Sequence, residues 1–299
     1  MWIARKLMQT ESEWNPKVMM GRVATRVLPE SVLHILQKNY YAYVLKHKLG
    51  AAEHDQTLVG LLVSEGDWVV DVGASIGGYT KFLSEKVGPR GRVYSFEPNP
   101  PTFDFLTHNI AALKLSNVEA FNVAVSDTMG SAQLKIPLYR WGSECHYDAR
   151  LDGPIRPEWR SVTVKKGTLD SFLANQEISF IKCDANFHEL ACLRGAQKLI
   201  EKCMPAMLIE VNPNPDDPAT SAHQTFSLLG AAGYEAYWLD GEKLRRRLRG
   251  ERSQNYFFLT PRHLDLLTRR GVLLTQAQDT NTDAGLSAIA LTAGQESRN

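Results

Sequence analysis

Long apolar runs are missing from this chain. No stretch approaches the roughly 20 apolar residues that a membrane-spanning helix needs. The N-terminal Met1-Trp2-Ile3-Ala4-Arg5-Lys6-Leu7-Met8 lacks the continuous apolar segment of a secretory signal. A soluble protein with no membrane span is expected. Cysteine is scarce: Cys145, Cys183, Cys192 and Cys203 form no C-x-x-C pair and no regular framework. That speaks against a zinc ribbon or a disulfide scaffold and fits reduced thiols in the cytoplasm. An excess of one charge is also absent. The formal net charge is +1 with histidine neutral, whereas dedicated nucleic-acid binders usually carry a strong basic surplus. No internal repeat is visible, and 299 residues suffice for one large α/β domain with additions.

A single missing glycine says more. Val69-Val70-Asp71-Val72 reads as a buried strand, Gly73-Ala74-Ser75-Ile76-Gly77-Gly78 as a glycine-rich turn, and Tyr79-Thr80-Lys81-Phe82-Leu83 as the start of a helix. Glycine suits such a turn because a Cβ would block both the tight backbone path and the close approach of a ligand, while free N–H groups at the helix start offer donors. A dinucleotide turn needs G-x-G-x-x-G, its middle glycine admitting the pyrophosphate. Here Ala74 and Ser75 follow Gly73, and the next glycines are Gly77 and Gly78. What remains is the Asp-x-Gly-x-x-x-Gly pattern of S-adenosylmethionine enzymes, in which the turn wraps an amino acid and a ribose.

The rest of the chain can be placed around that turn. Residues 1–52 read as a basic helical extension, with Val32, Leu33, Leu36, Tyr40, Val44 and Leu45 near helical spacing. A helix follows over 53–63. Arg92–Glu97 is a second strand, ending in an acid roughly 20 residues past the glycines, where it can accept hydrogen bonds from ribose hydroxyls. Asn99-Pro100-Pro101 resembles a base-holding motif but falls after the wrong strand, so it reads as a loop and helix start. Val118–Val125 is a third strand. Ala132–Ile136 and Val162–Lys165 look like paired strands, joined by a loop bearing Trp141, Ser143, His146, Arg150 and Trp159 that suits a polar, ring-shaped acceptor. Ser179–Asp184 and Pro205–Val211 are further buried strands, with Asp184 at a C-terminal end facing the crevice. Two closing strands, 234–239 and 255–259, are expected to be antiparallel. Arg245-Arg246-Arg247 with Arg249 and Arg252 is the one strong basic run, and such runs usually form solvated faces. Residues 275–299 are expected to be a disordered tail after a catalytic domain over 53–274.

Taken in order, Gly66–Gly77, Phe96-Glu97-Pro98-Asn99-Pro100, Asn122–Ser126, Thr168-Leu169-Asp170, Ile181–Asp184 and Leu193-Arg194-Gly195-Ala196 resemble the FkbM family of S-adenosylmethionine-dependent methyltransferases. The resemblance runs from about Glu53 to Pro261. It implies a Rossmann-like class I methyltransferase: an α/β fold with a seven-stranded, mostly parallel sheet, helices on both faces and an antiparallel last strand. It also implies O-methylation, commonly of a sugar or polyketide hydroxyl. One departure stands out. Where the family usually has an acid and a glycine after the fourth-strand aspartate, this chain has Asn186 and Phe187; Ser75 replaces the usual Asn of the turn.

The candidate cofactor contacts are Asp71, Gly73, Ala74, Ser75, Gly77, Tyr79, Thr80, Glu97, Pro98, Asn122, Ala124 and Asp184. The catalytic candidates are Asp184, to orient the acceptor or take its proton, and His188, whose imidazole titrates near working pH. Trp141, Ser143, His146 and Glu210 are candidates on the acceptor side. A metal held by Asp184 and His188 with Glu189 or Glu210 lacks a convincing further ligand, so none is expected. The expected partner is a small-molecule acceptor, with no nucleic acid. Two other readings stay open: a cofactor-binding but non-catalytic partner in a biosynthetic complex, motivated by Asn186 and Phe187, and an RNA methyltransferase using the arginine run.

Overall fold

The computed structural model describes residues 29–47, 55–137, 148–152, 154–241, 243–276 and 287–291. Its strands are β1 (Trp68–Val72), β2 (Arg92–Phe96), β3 (Val118–Phe121), β4 (Ala124–Val125), β5 (Gly130–Ile136), β6 (Arg160–Gly167), β7 (Ile178–Cys183), β8 (Ala206–Glu210), β9 (Glu235–Asp240), β10 (Lys243–Arg246), β11 (Asn255–Leu259), β12 (Val272–Gln276) and β13 (Ser287–Leu291). Its helices are α1 (Glu30–Lys46), α2 (Gln56–Leu62), α3 (Gly78–Val87), α4 (Pro100–Ala112), α5 (Leu169–Leu173), α6 (Glu189–Arg194), α7 (Gln197–Cys203), α8 (Ser221–Ala231) and α9 (Pro261–Arg269).

The main sheet runs β12-β13-β10-β9-β11-β8-β7-β1-β2-β3. Strands β3, β2, β1, β7 and β8 are parallel, and β11 lies antiparallel between β8 and β9. Seven neighbouring strands thus make the expected sheet. Successive residues of the central strands go to opposite cores. Val70, Tyr94, Ile181, Met207 and Phe258 pack on one face under α5 to α8. Val69, Val93, Phe180, Leu208 and Phe257 pack on the other under α2, α3 and α9. Burial on both faces is why these strands read as continuous apolar runs. The connection reverses direction between β1 and β7, and a crevice opens at such a switch point, beyond the carboxyl ends of the strands.

The structure departs from the sequence reading in three places. The sheet has ten strands rather than seven, because β10, β13 and β12 extend it as antiparallel neighbours. The β9–β10 hairpin closes at the Asp240–Lys243 pair, with Gly241 at φ +59° as the first residue of its two-residue loop, a position where the favoured hairpin turns need positive φ. Second, two pieces of the expected disordered tail are strand, the end of β12 and all of β13; residues 277–286 and 292–299 lie outside the described residues. Third, the expected strand over 118–125 breaks after Phe121. Its last two residues leave the main sheet and pair parallel with β6 in a small sheet ordered β4-β6-β5. That sheet has its own core of Ala124, Leu134, Ile136 and Val164.

Helix α1 packs on α4, where Asp104 receives Lys38 at 2.7 Å and His34 at 2.5 Å. Residues 1–28 and 48–54 lie outside the described residues. The arginine run is met by acids: Arg245 by Asp240, Arg246 by Glu235 and Arg247 by Asp216. Among the described residues no helix is long and apolar enough to cross a membrane.

Candidate active site

The glycine turn leaves β1 at Gly73, whose φ is +76° and whose missing Cβ would sit 1.9 Å from the Asp184 carbonyl oxygen. The turn and the end of β7 can approach this closely only because position 73 has no side chain. Gly77 caps α3 at φ +94°, with Leu106 Cδ1 only 2.9 Å from where a Cβ would be. Between them Ser75 adopts φ +52°, a conformation asparagine tolerates better than serine.

Glu97 stands behind this turn. Its Oε2 accepts from Ser75 N–H at 2.9 Å and its Oε1 from Asn99 N–H at 2.9 Å. Burial pushes its carboxyl up to about 7 against these two bonds, and the charges of Asp71 and Asp184 add to the rise. Each oxygen has a lone pair left for a further donor.

Asp184 follows β7 and is tied to β1 by its N–H, which donates to Val72 O at 3.1 Å. Its Oδ2 accepts from Lys182 Nζ at 3.2 Å. Burial acts to raise this carboxyl, but the Lys182 charge and a hydrogen bond with Glu210 outweigh it and hold Asp184 below the usual aspartate range. Glu210 goes the other way, raised well above its ordinary value by burial first and then by the Asp184 charge. The two carboxyls are therefore pushed apart, Asp184 towards its charged form and Glu210 towards its neutral one.

Beyond Asp184 the chain makes a tight loop. Asn186 and Phe187 both lie in the left-handed region, at φ +49° and +80°. Glu189 Oε1 holds the loop by accepting from Ala185 N–H at 3.0 Å and Phe187 N–H at 3.2 Å. Burial pushes the Glu189 carboxyl up to about 7.

These parts surround one cleft that opens to solvent. Of the residues expected at the site, Gly73, Ser75, Glu97, Pro98, Ala124, Asp184 and His188 line it. Asp71 lies beneath the turn, fully buried, accepting from Thr80 Oγ1 at 2.7 Å and facing Lys182 at 3.9 Å. Tyr79 packs its ring 5.1 Å from Lys182 Nζ. Ala74 donates its N–H to Phe96 O at 3.0 Å, and Asn122 Nδ2 donates to Glu97 O at 2.8 Å and Pro98 O at 3.1 Å. Asp71, Ala74, Gly77, Tyr79, Thr80 and Asn122 thus shape the site from behind its lining. Glu210 acts on it through Asp184.

His188 has both ring nitrogens engaged: Nδ1 pairs with Asp152, and Nε2 lies 3.1 Å from Ser126 Oγ. Trp141, Ser143 and His146 lie outside the described residues. Among the described residues no three His, Cys, Asp or Glu side chains are placed to hold a metal ion.

Lys182 and Asp152 are parts of the site that the sequence reading did not name; Glu189 entered it only as a possible metal ligand, and Arg150 only as one residue of the loop suited to an acceptor. Lys182 carried a signal, a lone charge inside the apolar run Phe180–Cys183. Asp152 carried none, because the fold alone brings its loop to the end of β7.

A parallel sheet with a reversed connection, a glycine turn after its first strand, an acid after its second and an acid after the strand across the switch point define a class I methyltransferase. The chain belongs to the FkbM methyltransferase domain family, whose pattern matches residues 71–236. It is 26% identical over 169 residues to the hexuronic acid methyltransferase AglP of Haloferax volcanii, a match covering 54% of this chain and 64% of that protein. The chain therefore spans just under two thirds of the length of that relative. Among solved structures it is similar to the FkbM methyltransferase of Methylobacillus flagellatus, with 16% identity, a TM-score of 0.43, and coverage of 75% of this chain and 60% of that one. A SAM-dependent methyltransferase from Aquifex aeolicus matches with 17% identity and a TM-score of 0.36, covering 80% of this chain and 90% of that one.

Proposed function

We propose that the protein transfers a methyl group from S-adenosylmethionine to a hydroxyl of a sugar or similar small-molecule acceptor. The observation that carries this reading is that Glu97 and Asp184 face a single cleft beside the glycine turn. The residues present fit the donor. Gly73 leaves open the space a Cβ would fill, the N–H groups at the start of α3 are there as donors, and Glu97 can accept from both ribose hydroxyls. The sulfonium supplies an already activated methyl group, so the protein's work is alignment and exclusion of water.

Asp184 orients the acceptor by taking a hydrogen bond from its hydroxyl. The Lys182 charge favours the ionised form of Asp184 and makes it a weak base. A weak base suffices because the hydroxyl becomes strongly acidic as its oxygen bonds to carbon, so the proton leaves late. His188, held at both nitrogens, fixes the cleft wall. The name of the Haloferax volcanii relative supports a sugar-class acceptor.

Calorimetry with S-adenosylhomocysteine tests the first half, and a complete lack of binding would end this reading. Transfer of labelled methyl to a panel of glycosides tests the second.

A further inference from the structure

Helix α1 is apolar on two sides. Its inner side packs on α4, with the ring centroids of His34 and Tyr41 at 4.7 Å and 5.2 Å from that of Phe105 and with Lys38 and His34 paired to Asp104. Its outer side carries Val32, Ile35, Leu36, Tyr40 and Tyr43, exposed to 39%, 57%, 53%, 57% and 55%. The spacing of these five residues puts them on one stripe of the helix. Among the described residues, Met129 and Ile155 are the only other exposed large apolar side chains. The exposure is therefore concentrated on α1, and a concentrated apolar patch marks a contact surface where scattered single residues do not.

The chemistry around the stripe has one sign. From Ser31 to Gly50 there is no acid, against Lys38, Lys46 and Lys48, and Lys46 is exposed at the end of the helix. Over residues 1–50 eight Lys and Arg stand against three Glu, a balance of +5. The whole chain carries +1, so the rest of it carries −4. Near-neutrality overall thus conceals a basic end, and such asymmetry points to an acidic partner.

We propose that the outer face of α1 docks the protein on an anionic lipid surface, the apolar stripe entering the headgroup boundary and the basic extension facing the lipid charge. A helix lying in that boundary needs an apolar stripe with aromatic residues and basic flanks, and the amphipathic tyrosine ring suits its depth. Each Lys or Arg close to an anionic surface strengthens binding by about fivefold. Charge decides against the two other occupants of the stripe. A second copy would bring another +5 extension against the first. Residues 1–28 hold five Lys and Arg against two Glu, the same sign as the helix they would cover. The docking requires no membrane span and does not depend on methyl transfer.

Full-length protein is floated with vesicles of phosphatidylcholine alone and of phosphatidylcholine mixed with phosphatidylglycerol, at low and high salt. The expected result is retention on the anionic vesicles about tenfold or more stronger than on the neutral ones, reduced by salt. Joint replacement Ile35→Ser and Tyr40→Ser should abolish it, and Lys46→Glu should weaken it by about tenfold. All three side chains are exposed, so the variants should melt as the wild type does, which thermal denaturation checks. Absence of retention at low salt, equal retention on the two kinds of vesicle, or retention unchanged in the α1 variants each overturns the proposal. Light scattering completes the test: a wild-type dimer that the Ile35→Ser and Tyr40→Ser pair converts to monomer gives the face to a second copy and overturns the lipid assignment. The comparison of vesicles uses wild-type protein alone, so it stands even where a variant fails to fold.

Discussion

The two walls of the cleft are built on opposite principles. On the proposed donor side, Gly73 and Gly77 supply two of the three positive φ angles, with Ser75 the third, and close contact comes from side chains that are not there. On the acceptor side, Asn186 and Phe187 adopt positive φ with full side chains, and those side chains grip the loop over 148–152. The first wall is a backbone cradle that any nucleoside-like ligand of the right size can use. The second is a side-chain clasp with shape and charge of its own. A donor shared across a family calls for the former, and an acceptor particular to one protein calls for the latter.

The most severe way to break the first wall is Gly73→Val. A Cβ placed 1.9 Å from Asp184 O cannot be accommodated without parting β1 from β7. Loss of stability of about 3 kcal/mol or more is expected, read by chemical denaturation, together with loss of S-adenosylhomocysteine binding. Asp184→Asn addresses the junction of the walls. Transfer should fall by about 100-fold while donor binding persists, and turnover equal to wild type in a labelled-methyl assay would remove Asp184 from the chemistry.

Glu97 gives a pH signature. Its carboxyl, like that of Glu189, is raised from 4.5 to about 7 in the folded protein. These two groups therefore bind more protons in the native state than in the unfolded chain between those values, and their contribution to stability falls as pH rises through that window, while buried His263, lowered to about 4, contributes in the opposite sense. Donor affinity should run the other way. Ribose hydroxyls donate to the ionised carboxylate, so binding of S-adenosylhomocysteine should strengthen by up to about tenfold per pH unit below about 7. Melts and calorimetry at about pH 5 and about pH 8 check both slopes. Glu97→Gln should flatten the binding slope and weaken donor binding throughout.

The mildest change sharpens the second wall. Phe187→Gly relieves the backbone at φ +80° but gives up the ring on Arg150. The two effects are each about 1 kcal/mol and opposed. The melting temperature should barely move, which thermal denaturation checks.

The parallel core was legible because strands buried on both faces must be apolar along their whole length, and Val69–Val72, Ser179–Cys183 and Ala206–Val211 are nearly so. The β9–β10 hairpin carried its own mark in Gly241, which went unread beside the arginines. Those arginines looked like a basic face because their partners, Glu235, Asp240 and Asp216, sit on a neighbouring strand or a distant loop.

By itself the sequence determined which residues meet at the glycine-turn wall of the cleft, Gly73, Glu97 and Asp184. Each of those residues sits at a strand end, and local spacing records such positions. Only the tertiary structure decided that Lys182 draws the Asp184 carboxyl down while Glu210 is pushed up, that both nitrogens of His188 are spent on Ser126 and Asp152, and that Arg150 lies between Trp159 and Phe187. The physical reason is that charge state and side-chain grip depend on which distant segments share a low-dielectric space, and spacing along the chain does not encode that neighbourhood.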